Sequence, residues 1–181
     1  MRDRSACRGH NPLHCIIPPF VLERLARSGD KRVRDRALEN LQLAAQIRAT
    51  RAIVATLPAA ALRAGAAPGR PKLRREVYTQ GNRNPPDRFL PGRLVRDEHD
   101  PASGDPAVDE AYNYAGSTWR LYNKVFGRNS LDDQGMRLVQ TVHAGVTYDN
   151  AFWDGRQMVY GDGDGMIFTA SPNRSTWSRT S

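Results

Sequence analysis

The sequence predicts an α+β protein made of two dissimilar pieces, a basic helical one followed by a β-rich one containing a single long amphipathic helix. Two observations carry this. Residues 1–76 hold 16 Lys+Arg against 6 Asp+Glu, a net of +10, whereas residues 77–181 hold 11 against 13, a net of −2. Aromatic residues divide at the same place: Phe20 is the only one before Tyr78, and the other 13 follow. Beyond residue 76 the texture also changes, from helical periodicity to short alternating runs between turn residues.

The elements follow in order. "CRGHNPLHC" (7–15) contains residue types that ligate zinc, but the spacing is not that of a finger, and a flexible N-terminal segment is the expectation. "IPPFVLERLARSG" (17–29) opens with prolines suited to a first helical turn; Val21, Leu22 and Leu25 form its stripe and Gly29 is the predicted stop. "DKRVRDRALENLQLAAQIRATRAIVATL" (30–57) reads as a longer helix with Val33, Ala37, Leu38, Leu41, Ala44, Ala45 and Ile47 at helical spacing. Its Arg- and Glu-rich face reads as solvated, and no recognition motif supports nucleic-acid binding by it. Residues 58–76, rich in Ala, Gly, Pro and Arg, read as a protease-sensitive linker.

"REVYTQ" and "RFLPGRLVR" are candidate strands around the turn-rich "GNRNPPD". "DPAVDEAYNYAGSTWRLYNKVFG" (105–127) is the clearest helix: Asp105 caps it, Pro106 starts it, and Gly127 ends it. Val108, Ala111, Tyr112, Ala115, Trp119, Tyr122 and Phe126 form its predicted core face. "RLVQTVHAG", "AFWDG" and "MVYGDGDGMIF" complete the strands. No run approaches the roughly 20 apolar residues of a membrane span, and the N-terminus lacks the apolar region of a secretory signal. The expectation is therefore a protein without membrane contact, cytoplasmic or exported without a leader.

Read for chemistry alone, the residues offer little. There is no G-x-S-x-G and no phosphate loop. "DGDG" (162–165) fits a calcium loop and a glycine hairpin turn about equally, since no closing Glu follows. His143 stands alone in a predicted strand, and a structural role is the expectation.

Three motifs add a resemblance. "YDNAFWDGRQMVYGDGDG" (148–165) resembles the stretch preceding the zinc helix of thermolysin-like zinc metalloendopeptidases. "GDPAVDEAYNYAGSTWRLYNKVFGRNSLDDQG" (104–135) resembles the helix and loop before it. "HCIIPPFVLERLARSGD" (14–30) resembles the short propeptide of the protealysin-type branch, marked by Pro18, Pro19 and Phe20. The resemblance implies a zymogen, with a propeptide over 1–57, a linker with the maturation cleavage over 58–76, and the N-terminal lobe of the peptidase over 77–168. It implies that the Asn150 side chain and the Ala151 backbone bind an extended peptide, that Trp153 walls a subsite, and that Phe152 is core. It implies also that the propeptide packs in cis, with Pro18, Pro19 and Phe20 against the cleft.

Intact members use zinc, calcium in some cases, and a peptide or protein substrate. Their zinc is held by H-E-x-x-H, whose Glu acts as general base, and this motif is absent from the 181 residues. Catalytic and metal residues are accordingly expected to be none, and the chain to be a truncated, inactive proenzyme. The alternative is a non-catalytic binding or inhibitory module acting on a related peptidase or extended peptide. Residues 169–181 read as frameshifted: codons allowed for "STWSRTS" plus a stop, taken one frame over, spell D-V-V-A-H-E-L.

Overall fold

The computed structural model describes residues 17–55, 72–84 and 90–163, with side chains through residue 49 in the first segment. The cysteine-containing N-terminus, residues 56–71 of the linker region, Asp164–Gly165 and the 169–181 tail lie outside the described residues.

Helix α1 spans Pro19–Leu25 and α2 spans Lys31–Ala55. Pro18 is the extended N-cap of α1 and Pro19 takes the first helical position, where a missing N–H costs nothing. The helix stops at Leu25 rather than at the predicted Gly29. Ala26 N–H bonds Leu22 O at 2.8 Å, and the next two amides close tighter turns onto Arg24 and Leu25, which leaves Gly29 to the connection. Asp30 then starts α2, its carboxylate accepting the Arg32 N–H at 2.8 Å.

On α2 the buried positions are Ala37, Asn40 and Ala44. Leu38 is 50% exposed and Ala45 is exposed, so the predicted stripe mixed two faces. The docked face is built from small residues around one polar side chain, and so admits close approach to a backbone segment. Leu43 and Ile47 flank it and enter the core around Tyr148 and Phe152.

Strands β1 (Arg75–Arg83), β2 (Arg93–Asp97), β3 (Leu138–Ala144), β4 (Ala151–Trp153) and β5 (Gln157–Tyr160) form a mixed sheet in the order β2-β1-β3-β5-β4. β1 begins at Arg75, so two residues of the expected linker belong to the sheet. Parallel pairs β1–β3 and β3–β5 form its centre, and antiparallel β2 and β4 form its edges.

Helix α3 (Pro106–Phe126) covers one face. Val108, Ala111 and Tyr112 pack on Val77 and Val142. Asp105 caps α3 by accepting the Ala107 N–H at 3.0 Å. Gly127 ends it in the left-handed region at φ 66, as predicted. Burial on α3 fades after Gly116, and Phe126 is 63% exposed, contrary to the predicted continuous core face. A 21-residue helix is roughly 32 Å long, and its buried positions end at Gly116, so the apolar period runs on past the stretch that packs on the sheet. The α3 side is also pinned at Tyr112, whose ring lies between the guanidiniums of Arg75 and Arg96 at 3.6 and 3.7 Å.

On the opposite face, Ala144, Tyr148, Phe152 and Val159 form a second core completed by Leu43 and Ile47 of α2 and by Leu90. The basic helical piece is thus packed on the β-rich piece. Among the described residues, no helix is long and apolar enough to cross a membrane.

Candidate functional site

The chain between β3 and β4, residues 145–150, brings the predicted peptide-binding residues to one edge of the sheet. Gly145 is required there: its φ is +72, and a Cβ would lie 2.8 Å from the Leu43 side chain of α2. The β4–β5 turn is organised by Asp154, whose carboxylate accepts from the N–H groups of Arg156 and Gln157 and from the Gln157 side chain, all within 2.9 Å. That turn sets Trp153 opposite Met158 and Ala151 opposite Tyr160.

Asn150 is buried at 7% exposure. Its Oδ1 accepts the Ile17 N–H at 2.9 Å and the Ala151 N–H at 2.8 Å, and its Nδ2 donates to the Ile17 carbonyl at 3.2 Å. One side-chain amide therefore holds both backbone groups of Ile17. Next to it, the Asp149 N–H donates to Asn40 Oδ1 at 2.8 Å, and the Arg36 guanidinium reaches Thr147 Oγ1 at 2.9 Å. A cavity of about 410 Å³ lies beside these contacts, between α2 and the 146–148 turn.

The residues singled out from sequence fall as follows. Asn150 lies at the contact. Ala151 is adjacent, with its N–H turned onto the Asn150 side chain. Trp153 is half-buried on β4, and Phe152 is core at 1% exposure. Pro18 and Pro19 are half-buried at the start of α1, whereas Phe20 is 68% exposed. The residue seated against Asn150 is Ile17, at 4% exposure. A signal for it was available, because a residue preceding proline is driven into the extended region that edge pairing needs. Asn40 carried no such signal, since a polar residue on a charged helix reads as solvated.

His143 is also not alone. Its Nδ1 lies 2.8 Å from Asp162 and its Nε2 lies 2.9 Å from Asp105. The hydrogen bond to Asp162 raises its pKa to about 9, burial opposes this, and Asp105 adds to the rise. Burial works to raise the Asp162 carboxyl, but His143 and Asn82 outweigh it and hold the group below its ordinary value. Both ring nitrogens of His143 thus face carboxylates. Among the described residues no group of three or more His, Cys, Asp or Glu is arranged to hold a metal.

Residues 68–174 match the model of the thermolysin metallopeptidase catalytic domain. The chain is 40% identical over 159 residues to Protease PrtS of Photorhabdus sp. (strain Az29), covering 84% of this chain and 40% of that protein. It is 41% identical over 162 residues to an extracellular metalloprotease of Pectobacterium carotovorum subsp. carotovorum, covering 87% and 42%. Among solved structures it resembles the precursor of protealysin, a metalloproteinase from Serratia proteamaculans. The TM-score is 0.66 at 38% identity, over 85% of this chain and 40% of that one. The chain thus spans about two-fifths of the length of these relatives.

Proposed function

The chain belongs to the thermolysin metallopeptidase family, and on that premise we propose that it joins a propeptide to the peptide-binding half of a thermolysin-like cleft. The observation that carries this is the double hydrogen bond between Asn150 and the backbone of Ile17. β4 is an edge strand, the position at which an extended peptide adds to a sheet. Ile17 takes the place of a substrate residue there, held by the turn into α1 and by the docking of α2. Similarity to the protealysin precursor along most of the chain supports assigning residues 1–57 as the propeptide and 58–76 as the region of maturation.

The activity of the complete family is endoproteolysis by zinc-activated water, with calcium as a further ion of intact enzymes. The 181 residues contain no H-E-x-x-H, so they supply neither the zinc ligands nor the general base. Their own contribution is to bind and orient an extended chain: Asn150 aligns its backbone, Ala151 and Trp153 continue the edge, and the propeptide excludes competitors. A second reading, a binding module for extended peptides or related peptidases, is favoured by the same edge position of β4.

Two measurements on the full chain test this. The Ile17 amide is expected to exchange slowly with solvent; exchange at the unfolded-chain rate would overturn the occupied-cleft reading. No chelator-sensitive cleavage of casein is expected with added zinc, and its appearance would overturn the assignment of inactivity.

A further inference from the structure

Directly behind the 148–150 segment runs the turn that follows β5. Gly161 donates its N–H to Asn150 O at 2.9 Å, and Gly163 donates to Tyr148 O at 3.0 Å. The approach is so close that a Cβ at Gly161 would stand 2.0 Å from Tyr148 O. Between these glycines, Asp162 turns its carboxylate onto His143 Nδ1 at 2.8 Å and accepts from Asn82 Nδ2 at 2.6 Å. On its other side His143 faces Asp105 Oδ2 at 2.9 Å, while the Asp105 Oδ1 caps α3.

We propose that His143 is a positioning residue for peptide recognition: bridged between Asp105 and Asp162, it fixes the 161–163 turn, and through that turn the backbone from which Asn150 reaches its peptide.

The inference rests on the peptide-binding reading of Asn150. The chemistry of the bridge makes it more than a scaffold contact. Only an imidazolium donates from both nitrogens; a neutral ring donates from one and turns a lone pair toward the other carboxylate. The charged groups facing the ring are Asp105, from the α3 N-terminus, and Asp162, from the turn after β5; Asn82, at the end of β1, is the neutral third member. Asp105 is anchored independently by its capping bond, so loss of the second donor loosens the helix-to-turn link rather than the helix end. The turn's two backbone hydrogen bonds then carry that change to Tyr148 and Asn150. His143 itself touches neither Asn150 nor Ile17 through any of these bonds, and its effect is indirect.

Nuclear magnetic resonance of the ¹⁵N-labelled full chain between pH 6 and 10 tests the proposal. The His143 ring is expected to titrate near pH 9, with the Ile17 amide and the Asn150 side-chain amide shifting at the same midpoint, while the Val77 and Val108 amides stay still. His143→Gln should abolish that shared inflection and speed exchange of Ile17 at neutral pH. Asp162→Asn, which keeps the shape of the side chain, should move the midpoint down toward 6.5. A His143 titration that leaves Asn150 and Ile17 unmoved overturns the proposal, as does a shift spread equally over Val77 and Val108. The unmutated chain suffices for that decision if the variants do not fold. An Ile17 amide already unprotected at pH 6 would instead sink the peptide-binding reading, which separates the two failures.

Discussion

The Asn150 side chain and the Ile17 backbone form a reciprocal pair, N–H to Oδ1 at 2.9 Å and Nδ2 to the carbonyl at 3.2 Å, across 133 residues of sequence. Both partners are buried. This pairing joins the two pieces of the chain at the residue for which the family resemblance implies peptide binding.

Replacing Asn150 by Ala should therefore release the Ile17 segment. Two buried hydrogen bonds disappear and the Ile17 and Ala151 N–H groups lose their acceptor, an effect of about 1–3 kcal/mol on docking. Asn150→Asp keeps an acceptor for those N–H groups but places a carboxylate against the Ile17 carbonyl. Both variants should expose residues 17–25 to limited proteolysis, whereas unchanged cleavage rates would show that the pair contributes nothing.

Asn40 anchors α2 in a similar way. At 2% exposure its Oδ1 accepts the Asp149 N–H and its Nδ2 donates to Arg36 O. Asn40→Ala is expected to cost about 1–3 kcal/mol by leaving a buried backbone N–H unpaired, read as a lowered urea midpoint. Leu38→Ala on the exposed side of the same helix should change that midpoint little, despite the larger apolar deletion.

Stability should fall on the alkaline side. The folded His143 pKa, near 9, lies above the ordinary 6.5, so its contribution is complete below pH 6.5 and is lost as pH rises through about 9. Allowing for solvent screening of a partly exposed group, this amounts to about 1–2 kcal/mol. The depressed Asp162 carboxyl adds a loss on the acid side, below its ordinary 3.8. Thermal unfolding at unit steps from pH 5 to 10 should show the alkaline decline, and His143→Gln should flatten it.

Two glycines offer a matched comparison. Ala at Gly161 brings a Cβ 2.0 Å from Tyr148 O, so the turn must move off the 148–150 backbone; we expect about 3 kcal/mol or more. Gly155 has φ +103 with nothing within 4 Å, and Ala there should cost only the backbone strain, about 1–3 kcal/mol. Equal losses in denaturant titration would show that the Gly161 contact relaxes freely.

The elements themselves were legible because their signals are local. Asp105, Pro106 and Gly127 bound α3 as read, since a cap, a fixed φ and a left-handed residue act within one turn. The strand runs around residues 75, 93, 138, 151 and 157 were visible through alternation and turn residues. Family motifs named Asn150, Ala151 and Trp153. What misled was one-dimensional: the α2 stripe included Leu38 because spacing alone does not say which of two adjoining faces meets a partner. On α3, Phe126 continues the apolar period beyond Gly116, where burial ends.

The sequence by itself determined the division into a basic helical piece and a β-rich piece, the caps of α3, and the family to which the motifs point. Only the tertiary structure decided that Ile17 seats against Asn150, that Asn40 is a buried anchor, and that His143 joins Asp105 and Asp162. Those pairings span 133, 109, 38 and 19 residues. Composition and periodicity register what a residue does to its own turn of chain. They do not register which distant backbone will arrive to satisfy a buried polar group, because packing the sheet between α3 and α2 sets that.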